Sequence, residues 1–434
     1  MVNNGMLDSI WILVCAFLVF FMHAGFALVE SGFCRKKNAV MVLLKNVGVV
    51  SLSSLLFYVV GFGLMFGDGN AVIGWSGMLP GPDMRLEAVP AGIPLYVFLF
   101  FQLVFAATAA TIVSGAIAER ARLSAFFVFT AVAVGVIYPV VGHWVWGGGF
   151  LATLGFRDFA GSTVVHAVGG GMALAGALVV GPRLGKFTKA GGVRPMPAHN
   201  FPLAALGVLI LWLGWFGFNG GSTLSADPNA IAPVILVTNL SAAAGFIAAL
   251  VHVRMRTGML DLSMGLNGAL AGLVSITAGC DVIGPVESMV VGMIGGVLVV
   301  EGVFLLDRLR VDDPVGAIPV HLVCGAFGTL AVGLFARGDA PGVLHGGGLG
   351  VLGVQALGVL VGAGSSFVAG GAVWLLLRRL PGGVRVDPDH EVEGLDLAEC
   401  GVEAYADELR GATVEAYEGT IAPKPSLDPV ISSS

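Results

Sequence analysis

Apolar residues in this chain fall into long continuous runs, each closed by a short polar segment, rather than into alternating or narrowly striped patterns. A run of ~20 apolar residues is long enough to cross the hydrocarbon core of a bilayer as a helix. Eleven such runs are present, near residues 9–30, 42–66, 93–117, 124–142, 163–182, 201–220, 230–253, 261–280, 284–306, 315–336 and 348–377. Their continuity excludes a transmembrane barrel, whose strands alternate between lipid-facing and lumen-facing residues. The pattern predicts an all-α membrane protein of eleven transmembrane helices. Asp8 is the only charge ahead of the first run, which has no basic flank and is long for a secretory signal, so it is read as a retained span.

Composition agrees with the pattern. Charged residues are 12% of the 434, about half the share of a soluble domain, which leaves too little polar surface to cover a globule in water. The 66 glycines sit among Val, Leu and Ala, and small residues let membrane helices approach closely. Lys and Arg then orient the chain. With the amino terminus outside, the inner loops carry fifteen of them (Arg35, Lys36, Lys37, Arg120, Arg122, Arg183, Lys186, Lys189, Arg194, Arg254, Arg256, Arg308, Arg310, Arg378 and Arg379), and the outer loops carry three (Arg85, Arg157 and Arg337). Positive charge marks the cytoplasmic side, so the reading is amino terminus out, carboxyl terminus in, across the cell (inner) membrane.

After about Pro381 the chain turns polar and acidic. The expected division is a transmembrane domain over 1–380 and a cytoplasmic tail over 381–434, with Ile421–Ser434 disordered. Five cysteines form no CxxC pair, and neither a disulfide nor a metal site is expected. No nucleophile–base motif emerges either. An enzyme, a bound cofactor and a nucleic-acid partner are therefore not expected.

An internal repeat points to the site. Asp158–Gly170 reads DFAGSTVVHAVGG and Asp313–Gly325 reads DPVGAIPVHLVCG. They share Asp, Gly at +3, Val at +7, His at +8, Val at +10 and Gly at +12. The copies open the fifth and tenth spans, so they run in opposite directions. Helices 1–5 and 6–10 then form an inverted repeat, an arrangement that places sites near the midplane between the halves. Eight residues of helix rise ~12 Å, which brings His166 and His321 toward the centre from opposite faces. Ionisable groups inside a membrane usually line a substrate or proton path. Asp158 and Asp313, at helix starts, are expected to cap backbone N–H groups. Glu30 and Lys45, near the ends of their spans, are expected to snorkel to the interface.

Several longer motifs accompany the histidines: FQLVFAATAATIVSGAIAER, HWVWGGG, HNFPLAALGVLILWLGWFGFNGGS and GFALVESGFCRKKNAV. Together, across about 10–405, they resemble the ammonium transporter family (Amt, Mep and Rh proteins). That resemblance implies an eleven-helix protomer with an oblique eleventh helix, assembled as a homotrimer with one pore in each protomer. It implies that Trp146, Phe105 and Ser222 recognise ammonium at an outer site, with Phe101 as a further wall. Phe105 and Phe218 would form a stacked gate, Asp158 would support the outer site, and His166 and His321 would line the pore. Methylammonium is the expected analogue substrate. The tail segment EGLDLAECGVEAY resembles the family's inner-face tail, with Cys400 and Val402 where His and Glu are usual, and implies a PII-type signal protein as a partner. Two further readings stay open: an ammonium sensor signalling through the tail, and an ion-coupled solute transporter on another inverted-repeat fold.

Overall fold

A computed structural model describes residues 4–405; Ile421–Ser434 lie outside the described residues. Among the described residues, ten helices are long and apolar enough to cross a membrane, and an eleventh apolar helix is shorter. In chain order they are α1 (Asn4–Phe33), α2 (Lys36–Phe66), α3 (Leu95–Ala116), α4 (Leu123–Thr153), α5 (Ser162–Val180), α6 (Phe201–Gly221), α7 (Pro228–Thr257), α8 (Leu262–Ile276), α9 (Pro285–Arg308), α10 (Ile318–Phe335) and α11 (Leu349–Arg379). Away from its two ends, a spanning helix pairs its backbone groups within itself, the condition hydrocarbon imposes.

One expected span is shortened. The run 261–280 continues as helix only to Ile276, about 22 Å at ~1.5 Å per residue, because the next residues are engaged elsewhere. Phe159 N–H donates to the Ala278 carbonyl at 3.0 Å, and Ala160 N–H to that of Thr277 at 3.2 Å. The loop before α5 thus uses the backbone that would have lengthened α8. The last long helix behaves oppositely. The 31 residues of α11 extend ~46 Å, well beyond a ~30 Å core, so it crosses at a slant. It lies on α5 and α4, where Trp374 stacks on Phe129 with centroids 4.4 Å apart.

The repeat explains why α5 and α10 meet. Its Gly at +3 sits at positive φ in both copies, +111° at Gly161 and +80° at Gly316, a region that L side chains rarely adopt. Its Gly at +12 lies where backbones touch. A Cβ on Gly170 would strike the Leu322 backbone nitrogen, and one on Gly325 the Ser162 carbonyl oxygen. Both positions therefore exclude a side chain so that the two helices can cross.

At the face carrying Asp313, the ends of these helices are tied together. Arg183, just past α5, donates to both oxygens of Asp312, ahead of α10, at 2.8 and 2.9 Å, and lies 3.3 Å from Glu119; Arg35 pairs with Glu119 in turn. Burial alone would raise the Asp312 carboxyl, but the Arg183 hydrogen bond and the Arg120 and Arg183 charges hold it well below the usual carboxylate range. Residues 381–405 dock on the same face, through α12 (Pro388–Glu393) and α13 (Leu395–Cys400). The Asp396 carboxylate accepts the backbone N–H groups of Val40 and Met41 near the start of α2 at 3.0 and 2.9 Å, and Asn38 Oδ1 accepts from Leu395 N–H at 2.9 Å.

Gly325→Val should destabilise the protein by roughly 1–3 kcal/mol or more, since an overpacked contact against backbone cannot relax. The readout is the unfolding midpoint in detergent. Gly364→Ala, whose added Cβ meets nothing within 4 Å, serves as the control and should not lower the midpoint, since Ala favours a helix interior over Gly.

Candidate functional site

An α-helix leaves its first four N–H groups without partners. At α5, Asp158 takes them: Oδ1 accepts from Gly161 and Ser162 at 2.9 and 2.8 Å, and Oδ2 from Thr163 and Val164, each at 2.8 Å. Burial pushes this carboxyl above the usual carboxylate range, and the four N–H bonds oppose the push. The Asp158 carbonyl also accepts the Trp146 indole N–H at 2.8 Å, so one residue fixes both the helix bearing His166 and the orientation of Trp146. Asp313 does the equivalent work at α10, accepting from Gly316 at 3.1 Å and Ile318 at 2.7 Å. Both are caps, as expected. Asp313 stands at the opposite face and does not join the ring column described next.

Each capped helix opens with a wide π turn, Ser162–Ala167 and Ile318–Val323, and the turn carries the histidine. Such turns are frequent at functional sites, although two others, Phe57–Gly61 and Ala133–Ile137, lie away from the histidines. His166 and His321 meet there, with Nδ1 to Nδ1 at 3.2 Å and rings stacked at 5.2 Å. The bond needs one N–H and one lone pair, so two neutral rings must be opposite tautomers. His166 Nε2 is buried with no hydrogen-bond partner.

The expected aromatics form a continuous column on this pair. Trp146, partly exposed, lies 6.1 Å from Phe105, which touches Phe101 at 4.7 Å and packs against Phe218 at 4.0 Å with the two rings tilted by 30°. Phe218 in turn stacks on His166 at 5.5 Å. Ser222, one turn after Phe218 at the end of α6, donates its hydroxyl to the Phe218 carbonyl at 2.8 Å, which leaves its lone pairs free to accept. The sequence reading missed Trp215. Its ring lies 5.0 Å from His166, and its indole N–H donates to Thr277 Oγ1 at 2.8 Å. The available signal was its place one turn before Phe218 in WFGF, but one Trp among seven in an apolar run carries no mark of its own.

Beyond His321 lies a cavity of about 30 Å³ bounded by Phe26, Thr111, Asn267, Leu270 and Val320, with Glu30 on its wall. Glu30 and Lys45 do not snorkel. They are 4% and 2% exposed and pair at 3.0 Å. Asn46 and Ser114 also donate to the Glu30 carboxylate, at 2.9 and 2.8 Å. Pairing and hydrogen bonding remove the reason to reach for water. Among the described residues no group of three or more His, Cys, Asp or Glu side chains is gathered to hold a metal ion.

The profile of the Ammonium Transporter Family matches residues 10–405. The chain belongs to this family. Among the relatives of this family member, ammonium transporter Amt2 of Archaeoglobus fulgidus is 44% identical over 92% of the chain and 88% of its own length. Ammonium transporter Amt2 of Haloferax mediterranei is 40% identical over 92% and 90%. Among solved structures, a sensor Amt protein superposes with a TM-score of 0.87 at 41% identity, covering 91% of this chain and 98% of that one. Mep2 of Candida albicans gives 0.82 at 30% identity, covering 88% and 87%. The family's all-helical membrane fold is the fold of this chain.

Asp158→Ala in this transporter-family chain leaves four buried N–H groups unpaired, at about 1–3 kcal/mol each before relaxation. A large fall in the detergent unfolding midpoint is expected, well beyond that of Asp313→Ala, which frees two.

Proposed function

We propose that the protein is an ammonium transporter that recruits ammonium at Trp146, Phe105, Phe101 and Ser222, deprotonates it, and conducts ammonia past Phe105 and Phe218 and along His166 and His321. The observation that carries this reading is the unbroken column of rings from Trp146 to His321, in which no Asp, Glu, Lys or Arg stands. Aromatic faces attract a small cation, by about 2 kcal/mol or more where it is desolvated. A hydroxyl acceptor selects ammonium over potassium, which has no N–H to donate. A bare charge within the column is costly, so the ion gives its proton to the paired imidazoles and continues as ammonia. The pair can pass that proton on. His166 gains it at Nε2, its Nδ1 proton moves to Nδ1 of His321, and the Nε2 proton of His321 is released.

The fifteen-to-three division of Lys and Arg between the two sets of loops supports an amino terminus outside and a carboxyl terminus in the cytoplasm, in the cell (inner) membrane. Residues 1–380 would then conduct, and 381–434 would form the cytoplasmic tail. A homotrimer and a PII-type partner at the tail rest on family resemblance. The sensor reading is weaker, because curated relatives at 36–44% identity are named as ammonium transporters.

Proteoliposomes containing the protein should take up labelled methylammonium, and the His166→Ala/His321→Ala variant should lose at least about tenfold in rate. Parental uptake in that variant would remove the histidines from the mechanism, and no uptake by the parent would refute transport. Trp146→Leu should raise the half-saturating concentration by about tenfold, as loss of roughly 1–2 kcal/mol of cation–aromatic attraction requires, and should change the maximal rate less than the concentration dependence.

A further inference from the structure

Deprotonated ammonium leaves two products, and the column accounts fully for only one. Ammonia is neutral and crosses apolar space. The proton handed to His321 must still reach the Asp313 face, and the new ammonium formed with it must have a counter-charge. We infer that Glu30 is that proton acceptor, and that the Glu30–Lys45 pair forms the exit station of the transporter. This inference rests on the proton hand-off proposed for His166 and His321.

Three observations converge on it. The first is position. His321 spends Nδ1 on His166, which leaves Nε2 for the chamber beyond, and Glu30 is the one carboxylate on the wall of that chamber. At about 30 Å³ the chamber has room for roughly two molecules the size of water or ammonia, enough to bridge the two groups. The second is capacity. A carboxylate offers about four acceptor sites. Here Lys45 and Asn46 take one each, and the single hydroxyl proton of Ser114 is shared between the two oxygens. One site remains for a proton. The third is the environment of Lys45. When Glu30 is neutral, the ammonium of Lys45 keeps a hydrogen bond to the Ser114 carbonyl at 2.9 Å and a place over the Phe126 ring at 5.3 Å. The cation is therefore not stranded when its partner is briefly uncharged. Thr111, also on the chamber wall, donates to Asn46 Oδ1 at 2.8 Å, and Asn46 donates to Glu30, so the carboxylate is held by side chains anchored on α2 and α3.

The step balances without a further reagent. The N–H bond at His321 Nε2 breaks, and an O–H bond forms at the Glu30 carboxylate through the ammonia or water in the chamber. That O–H bond then breaks as the lone pair of ammonia takes the proton, giving ammonium and restoring the carboxylate beside it. A purely structural pair would instead staple α1 to α2, with no consequence for charge movement separate from folding.

The test measures charge and ammonia separately in proteoliposomes: transported current on a solid-supported membrane, and ammonia permeation by stopped-flow swelling. Glu30→Gln/Lys45→Met removes both charges together, so no unpaired ion is buried. Current should fall at least about tenfold while ammonia permeation stays within about twofold of the parent. Glu30→Asp, which keeps the carboxylate but withdraws it by one methylene, should restore part of the current; should the double variant fail to fold, a lowered ratio of current to permeation in Glu30→Asp carries the same meaning. Unchanged current in the double variant, a parallel fall of both signals, or an unchanged ratio in Glu30→Asp would overturn the inference. A parent that passes ammonia without current would overturn it too, yet leave ammonia conduction standing. Parental flux in the His166→Ala/His321→Ala variant would instead overturn the reading beneath it.

Discussion

Where α5 and α10 cross, backbone lies against backbone, and everything in the centre of the molecule is set by that contact. Gly170 faces the Leu322 nitrogen and Gly325 faces the Ser162 carbonyl, with no side chain between. Only at this separation do two histidines carried by opposed helices reach each other through short imidazole rings. Both histidines sit in wide turns, and the Asp158 and Asp313 carboxylates satisfy N–H groups at those turns. Capping, turn geometry and glycine contact are thus a single device, written twice in the chain.

The column built on this device has an asymmetry of chemistry. At its Trp146 end the ring faces and the hydroxyl of Ser222 suit a cation that can donate hydrogen bonds. In the middle, Phe105, Phe218, Trp215 and the two imidazoles present packed aromatic rings and no formal charge-bearing carboxylate or amine. Beyond His321 polarity returns, with Thr111, Asn267 and the Glu30 network. Polar partners thus lie at both ends and apolar rings between them, the profile that the proposed separation of a small weak acid from its proton requires.

Much of this was legible in the sequence because it is written as composition and period. Apolar runs gave the spans, and the Asp–Gly–His–Gly spacing gave the pairing of the histidines and the caps. Other features depend on register, which hydropathy does not encode. Glu30 and Lys45 look like interfacial residues by position along their helices, but they are opposite one another across α1 and α2 and neutralise each other inside. Ile276 ends α8 early because the loop at Phe159 and Ala160 claims the following carbonyls, a contact between segments over a hundred residues apart. Trp215 is one apolar residue in an apolar run until its ring is seen against His166. The π turns leave no compositional trace, since the same residues serve equally in an ordinary helix.

The Arg183–Asp312 pair bears on how such a protein moves. It joins the end of the first half's last helix to the beginning of the second half's, and it is buried and bidentate. Swinging one half against the other would part it, and breaking a buried pair is typically destabilising by about 3–5 kcal/mol. The halves are riveted at one face and interlocked by glycine at the centre. In the mechanism proposed above, passage then falls to the small parts, the rotation of a phenyl ring or the shift of a proton. Ring and side-chain motions run far faster than the microsecond-to-millisecond swing of domains. The frame is a stator, and the traffic is carried by what moves within it.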